Sequence, residues 1–292
     1  MSQSSIKIWF LAARPKTLPA AAAPVIIGTA MAYQAELFHL YSALAALLGA
    51  LFIQIGTNLA NDYFDYKKGT DTEERLGPVR VTQAGLVAPS AVKKAAIIAF
   101  LLAFLIGIYL VTRGGWPIVI IGLSSILFGV LYTGGPFPIG YIGLGDLFVL
   151  IFFGPVAVGG SYYVQALSIN NEVLVAGFAP GLFSVAILVV NNLRDINSDR
   201  RTGKKTLAVR FGENFSKIQF LLSIMIASLI PVYLFTTTNN NLLLITLISL
   251  IVAVPVIKKV FIIEGEPLND VLATTGKLLF LYSILFSIGW LL

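Results

Sequence analysis

Long apolar runs, broken only by brief polar turns, account for most of this 292-residue chain. A helix that crosses a bilayer needs about 20 consecutive, mostly apolar residues. Nine runs meet or approach that length: 18–36, 40–60, 92–111, 116–133, 140–163, 173–192, 216–236, 241–260 and 274–291. Charged residues make up 12% of the chain, about half of the roughly 25% usual in soluble domains. The predicted fold is therefore an all-α integral membrane bundle of nine transmembrane helices. The breaks AELFH, TRGGWP, TGGPFP, QALSINNE and TTTNNN are too short to act as linkers, so residues 1–292 are predicted to form a single domain. The opening segment MSQSSIKIWFLAARPKTLPAAAAP lacks a convincing cleavage site and reads as retained mature sequence. With no cysteine, the chain offers no disulfide, thiolate metal site or cysteine nucleophile.

Nine spans put alternate loops on opposite sides of the membrane. One side then holds 19 of the 20 basic residues, with Arg113 alone on the other. Cytoplasmic loops carry the excess of Lys and Arg, so the N-terminus is predicted to be cytoplasmic, with charged cap loops after spans two and six on that side. The net charge of +6 is thereby explained by topology, and nucleic acid is not an expected partner.

Topology does not account for the acids. Eleven of the 14 acidic residues lie on the basic side, although Asp and Glu contribute little to orientation. Asn191, Asp195 and Asp199 recur every four residues in NNLRDINSDRRTGKKTL, which on a helix forms one stripe. Asn58 and Asp62, and Asn61 and Asp65, share that interval in NLANDYFDYKKGTD, with Asp71 just beyond. Like charges at this spacing repel by a few tenths of a kcal/mol, and a divalent cation would offset the repulsion. The donors are all oxygen, and the single histidine, His39, lies on the opposite side. Such a set suits Mg²⁺, which typically binds through one or two carboxylates plus substrate phosphates. Lys67, Arg80, Lys204, Lys205 and Arg210 stand beside the acids as candidates for phosphate oxygens. For Glu73, Glu74, Glu213, Glu264 and Glu266 a solvated loop charge is the better reading.

These stretches, together with ARPKTLPAAAAPVIIGTA, GPVRVTQAG, YTGGPFPIGYIGLGD, TLAVRFG and GEPLN, resemble the UbiA-type superfamily of intramembrane prenyltransferases. Within it the chain is most similar to the MenA branch, the 1,4-dihydroxy-2-naphthoate polyprenyltransferases. The resemblance runs from residue 13 to 269. It implies a helical bundle around a central cavity and Mg²⁺-dependent transfer of a polyprenyl group from its diphosphate to 1,4-dihydroxy-2-naphthoate. Decarboxylation accompanies the transfer, giving a quinol of menaquinone or phylloquinone biosynthesis. It also implies that Asn61, Asp65, Asp71, Asn191, Asp195 and Asp199 hold Mg²⁺ and the diphosphate. Position 69 is Gly and Asp71 follows Asp65 by six residues, so either Asp62 or Asp71 could complete the first shell.

On that reading Asp65, Asp195 and Asp199 are catalytic. Tyr63, Phe64, Tyr132 and Tyr141 are candidates to shield an allyl cation with their π faces, by about 0.5–2 kcal/mol each; each would equally suit an interfacial aromatic belt. Asp146, a carboxylate inside span five, either orients or deprotonates an acceptor hydroxyl or pairs with a neighbouring helix. Arg80 and Arg14 are candidates for the acceptor carboxylate. The expected setting is the bacterial plasma membrane, with the active site facing the cytoplasm and membrane lipid around the bundle. The alternatives are another acceptor (4-hydroxybenzoate, homogentisate, haem or chlorophyllide) and, more remotely, a transporter. Transport fits poorly because the span centres carry almost no charge.

Overall fold

The computed structural model describes residues 5–70 and 76–292; Asp71, Glu73, Glu74 and Arg75 lie outside the described residues. Among those described, all regular secondary structure is helical. A short helix α1 (Ser5–Ala13) leads through a tight 3₁₀ turn into α2 (Leu18–Gln34) and the long α3 (Leu40–Lys67). Helices α4 (Pro89–Gly114) and α5 (Trp116–Leu131) follow, then a broken rod made of α6 (Gly145–Phe152) and α7 (Pro155–Ala166). Helix α8 (Asn171–Arg194) runs into two short helices, α9 (Ile196–Arg201) and α10 (Leu207–Phe211). The chain closes with α11 (Glu213–Thr238), a 3₁₀ turn leading into α12 (Leu247–Ile262), and α13 (Leu268–Leu291).

Seven of these rods are long and apolar enough to cross a membrane: Leu40–Lys67, Pro89–Gly114, Gly145–Ala166, Asn171–Arg194, Glu213–Thr238, Asn241–Ile262 and Leu268–Leu291. Helices α2 and α5 are apolar but shorter, at 17 and 16 residues. Side chains set the helix starts. His39 Nδ1, Asn170 Oδ1 and Thr206 Oγ1 accept the backbone N–H of Ser42, Val173 and Val209 respectively, satisfying donors that the first helical turn leaves open. Helix α3 continues seven residues past the expected end of its apolar run, and those added turns carry NDYFDYK. The segment expected to open the fifth span is instead a set of turns, and α6 begins only at Gly145. Gly135 and Gly143 there adopt φ of 76° and 82°, a left-handed conformation that glycine adopts without strain.

The main core joins α2, α7, α8, α11, α12 and α13 around Ile27, Phe183, Phe220, Ile224, Leu279 and Tyr282, all essentially sealed from solvent. A smaller core ties Ala12 of α1 to Leu59 and Ala60 of α3, Val81 of the following loop, and Val92 and Ala96 of α4. Conversely, Ile97, Ile98, Leu101, Phe104 and Leu105 of α4 are exposed, as a face toward lipid tails would be.

Where the α6–α7 rod breaks, it is pressed against α8 through three glycines. A Cβ at Gly177 would stand 2.7 Å from Pro155 Cα, and one at Gly181 would stand 2.5 Å from the Leu150 carbonyl oxygen. Small residues let membrane helices approach backbone to backbone. Replacing Gly177 with Val should therefore force α7 off α8 and lower stability by about 1–3 kcal/mol, read as a fall in Tm of the detergent-purified protein. A control substitution at Gly107, where a Cβ meets nothing within 4 Å, should leave Tm nearly unchanged.

Candidate active site

The C-terminal turns of α3 present acids on one side, and the loop after α3 returns across them. Asp65 is 2% exposed and receives three partners: Arg80 Nη2 at 2.8 Å, the Tyr141 hydroxyl at 2.5 Å, and Lys204 Nζ at 3.9 Å. Lys204 also lies 3.6 Å from Asp199. One ammonium thus bridges a carboxylate at the end of α3 and a carboxylate on α9, joining the two acidic motifs at one point. The Tyr141 ring packs beside this junction, with Lys204 Nζ 4.7 Å and Lys68 Nζ 5.0 Å from its centroid. Lys68 donates to the carbonyls of Thr133 and Gly135, and the Thr133 hydroxyl donates to Asn61 Oδ1 at 2.7 Å. The turns of residues 132–144 are thereby fastened to the acidic end of α3.

The second motif divides in two. Arg194 grips both oxygens of Asp195, at 2.8 and 2.5 Å, and donates as well to Asn191 and Asn269. Asn269 in turn donates to the Leu76 carbonyl. Asp199 faces Lys204. Burial pushes the Asp199 carboxyl up to about 6; Lys204 opposes the rise, while Asp195 and Asp65 add to it. Asp199 thus senses the negative charge of both motifs.

The remaining predicted residues fall in several places. Asp62 accepts the backbone N–H groups of Val81 and Thr82. Arg210 bonds the carbonyls of Lys205 and Ile142, stitching the 203–206 loop to the 132–144 turns. Lys67 and Lys205 are exposed, and neither side chain makes a polar contact with the cluster among the described residues. Tyr63 and Phe64 pack on the smaller core, and Lys93 stands 5.9 Å from the Tyr63 ring. Asp146 is buried and accepts from Gln219 of α11 at 2.8 Å, the helix-pairing alternative for that carboxylate. Arg14 takes a left-handed φ of 53° between α1 and α2, beside Ala13, whose carbonyl accepts from Asn58. Asp71 lies outside the described residues.

Beneath the polar cluster lies a cavity of about 560 Å³ between α2, α3, α4, α5 and the α6–α7 rod. Its polar lining follows one side of α3 through Gln54, Thr57, Asn58 and Asn61 toward the cluster. Apart from Ser125, Ser161 and Tyr132, the rest of the lining is apolar. Phe128, Phe148 and Phe152 form a mutually packed group with centroids 4.7–6.1 Å apart, and Tyr132 also lines the cavity.

Sequence reasoning passed over Arg194, Thr133, Lys68 and Asn269. Arg194 sits inside the quoted motif NNLRD, yet a basic residue between acids reads as a loop charge until its fork is seen on Asp195. Asn269 lies in GEPLN, and only the tertiary fold brings it to Arg194.

Do these groups suit a divalent cation? Among the described residues no three acidic or histidine side chains converge as a ready cage. The donors at the junction are nevertheless oxygens, and two buried carboxylates already share one positive group, the Lys204 ammonium. Two carboxylates completed by substrate phosphate are what Mg²⁺ usually takes, so the residues fit.

The fold and site define a polytopic helical membrane protein with an acid- and cation-rich head over an apolar chamber. Residues 21–288 match the UbiA prenyltransferase family, and the chain belongs to that family. It is 35% identical over 305 residues to a 1,4-dihydroxy-2-naphthoate octaprenyltransferase of Haemophilus influenzae, covering 100% of this chain and 98% of the relative. A protein of the same description from Escherichia coli is 45% identical over 216 residues, covering 72% of this chain and 70% of the relative. The fold is also that of a UbiA homolog from Archaeoglobus fulgidus solved bound to DMAPP and Mg²⁺, with a TM-score of 0.64 at 13% identity over 96% and 99% of the two chains.

Removing the shared ammonium by Lys204→Met leaves Asp65 and Asp199 to repel across the junction. The variant should melt several degrees below wild type in EDTA and recover part of that loss when Mg²⁺ is added, whereas wild type should respond less. Differential scanning fluorimetry in detergent reads both differences.

Proposed function

We propose that this protein transfers a polyprenyl group from polyprenyl diphosphate to 1,4-dihydroxy-2-naphthoate, with decarboxylation, in menaquinone biosynthesis. The observation that carries the reading is the Lys204 bridge between Asp65 and Asp199 at the head of an apolar cavity. A diphosphate belongs at the first and a polyprenyl tail in the second. Full-length similarity to the Haemophilus relative supports the choice of acceptor.

Each CH₂ moved from water into apolar surroundings contributes about 0.8 kcal/mol, so the tail is held by the chamber walls while the charged head stays at the polar end. Arg80 and Lys204 are placed to take diphosphate oxygens as charge develops on the leaving group. Asp65 and Asp199, with Asn61 one turn before Asp65 on α3 and Asn191 further back on α8, would hold Mg²⁺, which when bound adds further positive charge against the departing diphosphate. Tyr132 offers a π face at the neck of the cavity, and Tyr141 already faces cations at the junction. Phe128, Phe148 and Phe152 keep water from the allyl cation, which would otherwise be captured as an alcohol. The electron-rich naphthoate ring attacks that cation, with Arg14 and Arg80 as the cations available to its carboxylate.

The same reading arranges the molecule in its membrane. We take α2, α3, α4, α5, the α6–α7 rod, α8, α11, α12 and α13 as nine spans of one domain. The polar head and the N-terminus then face the cytoplasm, at a bacterial plasma membrane. The 19-to-1 division of basic residues supports this.

Purified protein supplied with one prenyl diphosphate, Mg²⁺ and a panel of aromatic acids tests the acceptor. Product should form with 1,4-dihydroxy-2-naphthoate and stop on chelation. Comparable turnover of 4-hydroxybenzoate or homogentisate would assign a different acceptor. A further outcome concerns the tail. Gly122 lines the cavity, and a Cβ there meets nothing within 4 Å. Gly122→Phe should fold normally yet shorten the longest prenyl chain accepted, measured by competition between short and long diphosphates.

A further inference from the structure

We infer that Asp62 is a positioning residue rather than a metal ligand: its carboxylate clamps the loop after α3 so that Arg80 stands on Asp65 at the diphosphate head. This rests on the function proposed above for the identity of the ligand, but the clamp itself does not.

Asp62 and Asp65 lie three residues apart on α3 and are therefore neighbours on its surface. They hold three consecutive loop residues between them. Asp65 takes the Arg80 guanidinium at 2.8 Å, while Asp62 accepts the N–H of Val81 on Oδ2 at 3.0 Å and of Thr82 on Oδ1 at 3.3 Å. Asp62, Arg80, Val81 and Thr82 are all buried, at 2%, 6%, 0% and 3% exposure. Backbone bonds from Ala84 to Arg80 and from Leu86 and Val87 to Val81 close the loop on itself. The Val81 side chain plugs the smaller core. The loop is thus a compact piece fastened at two points, an apolar plug and a charged clamp, and the guanidinium projects from the residue immediately before both.

Each oxygen of Asp62 is directed at the loop. If it turned to ligate an ion, two buried N–H groups would lose their acceptor, and each such loss is unfavourable. Asp62, one of the two acids that by sequence could complete the first metal shell, is therefore assigned to holding Arg80. A neutral asparagine in its place keeps one acceptor oxygen and puts an NH₂ against an N–H, so Asp62→Asn removes the clamp with little change in volume.

The test measures three quantities on detergent-purified wild type, Asp62→Asn, Arg80→Ala and the double variant. They are Mn²⁺ affinity without substrate, farnesyl diphosphate affinity with Mn²⁺, and amide exchange of residues 80–87. We expect Asp62→Asn to bind Mn²⁺ within about twofold of wild type, to lose protection at 80–87, and to bind farnesyl diphosphate roughly tenfold to a hundredfold more weakly, the range for a charge-assisted hydrogen bond. It should add little to that loss in the Arg80→Ala background. A tenfold or greater drop in Mn²⁺ affinity, or fully additive losses in the double variant, would overturn the assignment. If wild type does not bind farnesyl diphosphate, the function reading falls, and amide exchange still decides the clamp: lost protection upholds it and unchanged protection refutes it. Should Asp62→Asn not fold, Asp62→Glu, whose carboxylate is displaced by one methylene, undergoes the same measurements with the same criteria.

Discussion

Two buried carboxylates from distant parts of the chain share one ammonium, and the arrangement of the polar end depends on that sharing. Asp65 on α3 and Asp199 on α9 would repel across a poorly solvated gap, and Lys204 lies 3.9 and 3.6 Å from them. Breaking a buried pair by removing one partner is strongly unfavourable, by about 3–5 kcal/mol, so the partners fix each other. The consequence is geometric. Lys204 belongs to the turn that Arg210 stitches to residues 132–144, Asp65 lies at the end of α3, and Asp199 follows α8. Through one side chain, three segments are held over the mouth of one cavity.

The same balance recurs at Asp65, Asp195 and Asp199. Arg80 neutralises Asp65, Arg194 neutralises Asp195, and Lys204 is divided between Asp65 and Asp199. The cations that read as topological signals are thus partly structural. Arg194 is wholly buried as well as basic, and a bidentate guanidinium fits a carboxylate as a lysine cannot. The positive balance on one side of the chain therefore serves orientation and site assembly at once.

How far the chain announces this differs between fold and site. Long apolar runs are legible because 20 residues of hydrocarbon-compatible sequence have few alternatives to a spanning helix. The four-residue recurrence of Asn and Asp is equally legible as one face of a helix. The end of α3 was harder to read. NDYFDYK is too polar to count as span, yet it continues the helix to Lys67 because its acids find partners in the returning loop. Asp62 and Asp65 look equivalent in sequence, but one meets backbone N–H groups and the other a guanidinium, a hydroxyl and an ammonium. Nothing local distinguishes them, since the difference is supplied by residues 80–82 of the returning loop and by Tyr141 and Lys204 much further along the chain. Thr133 and Asn269 are further examples: an uncharged side chain in a turn carries no pattern until its partner is known. The segment GGPFPIGYIGLGD misleads for a related reason: residues 140–144 look like the opening of a span, but they form turns whose shape is set by contacts with Lys68 and Arg210.

The union of charged head and greasy chamber also explains why a helical bundle suits this chemistry better than a soluble fold. An apolar cavity of this size in water would tend to close or to bind whatever fits, whereas in lipid its walls lose nothing by facing hydrocarbon. The bundle is then free to spend its tight packing elsewhere, at the glycine contacts of α6–α7 with α8, and to leave the α3–α5 side loosely filled. The polar line Gln54, Thr57, Asn58 and Asn61 marks the transition between the two regions. Its amides and hydroxyl are neutral, so they can lie beside lipid-like surroundings without the desolvation penalty that a charge would incur. They still offer hydrogen bonds to a polar head entering from above. Charge is confined to the turn above Asn61, where Asp65 begins the paired network, and this graded polarity along a single helix is what allows one site to hold an insoluble tail and a highly charged leaving group together.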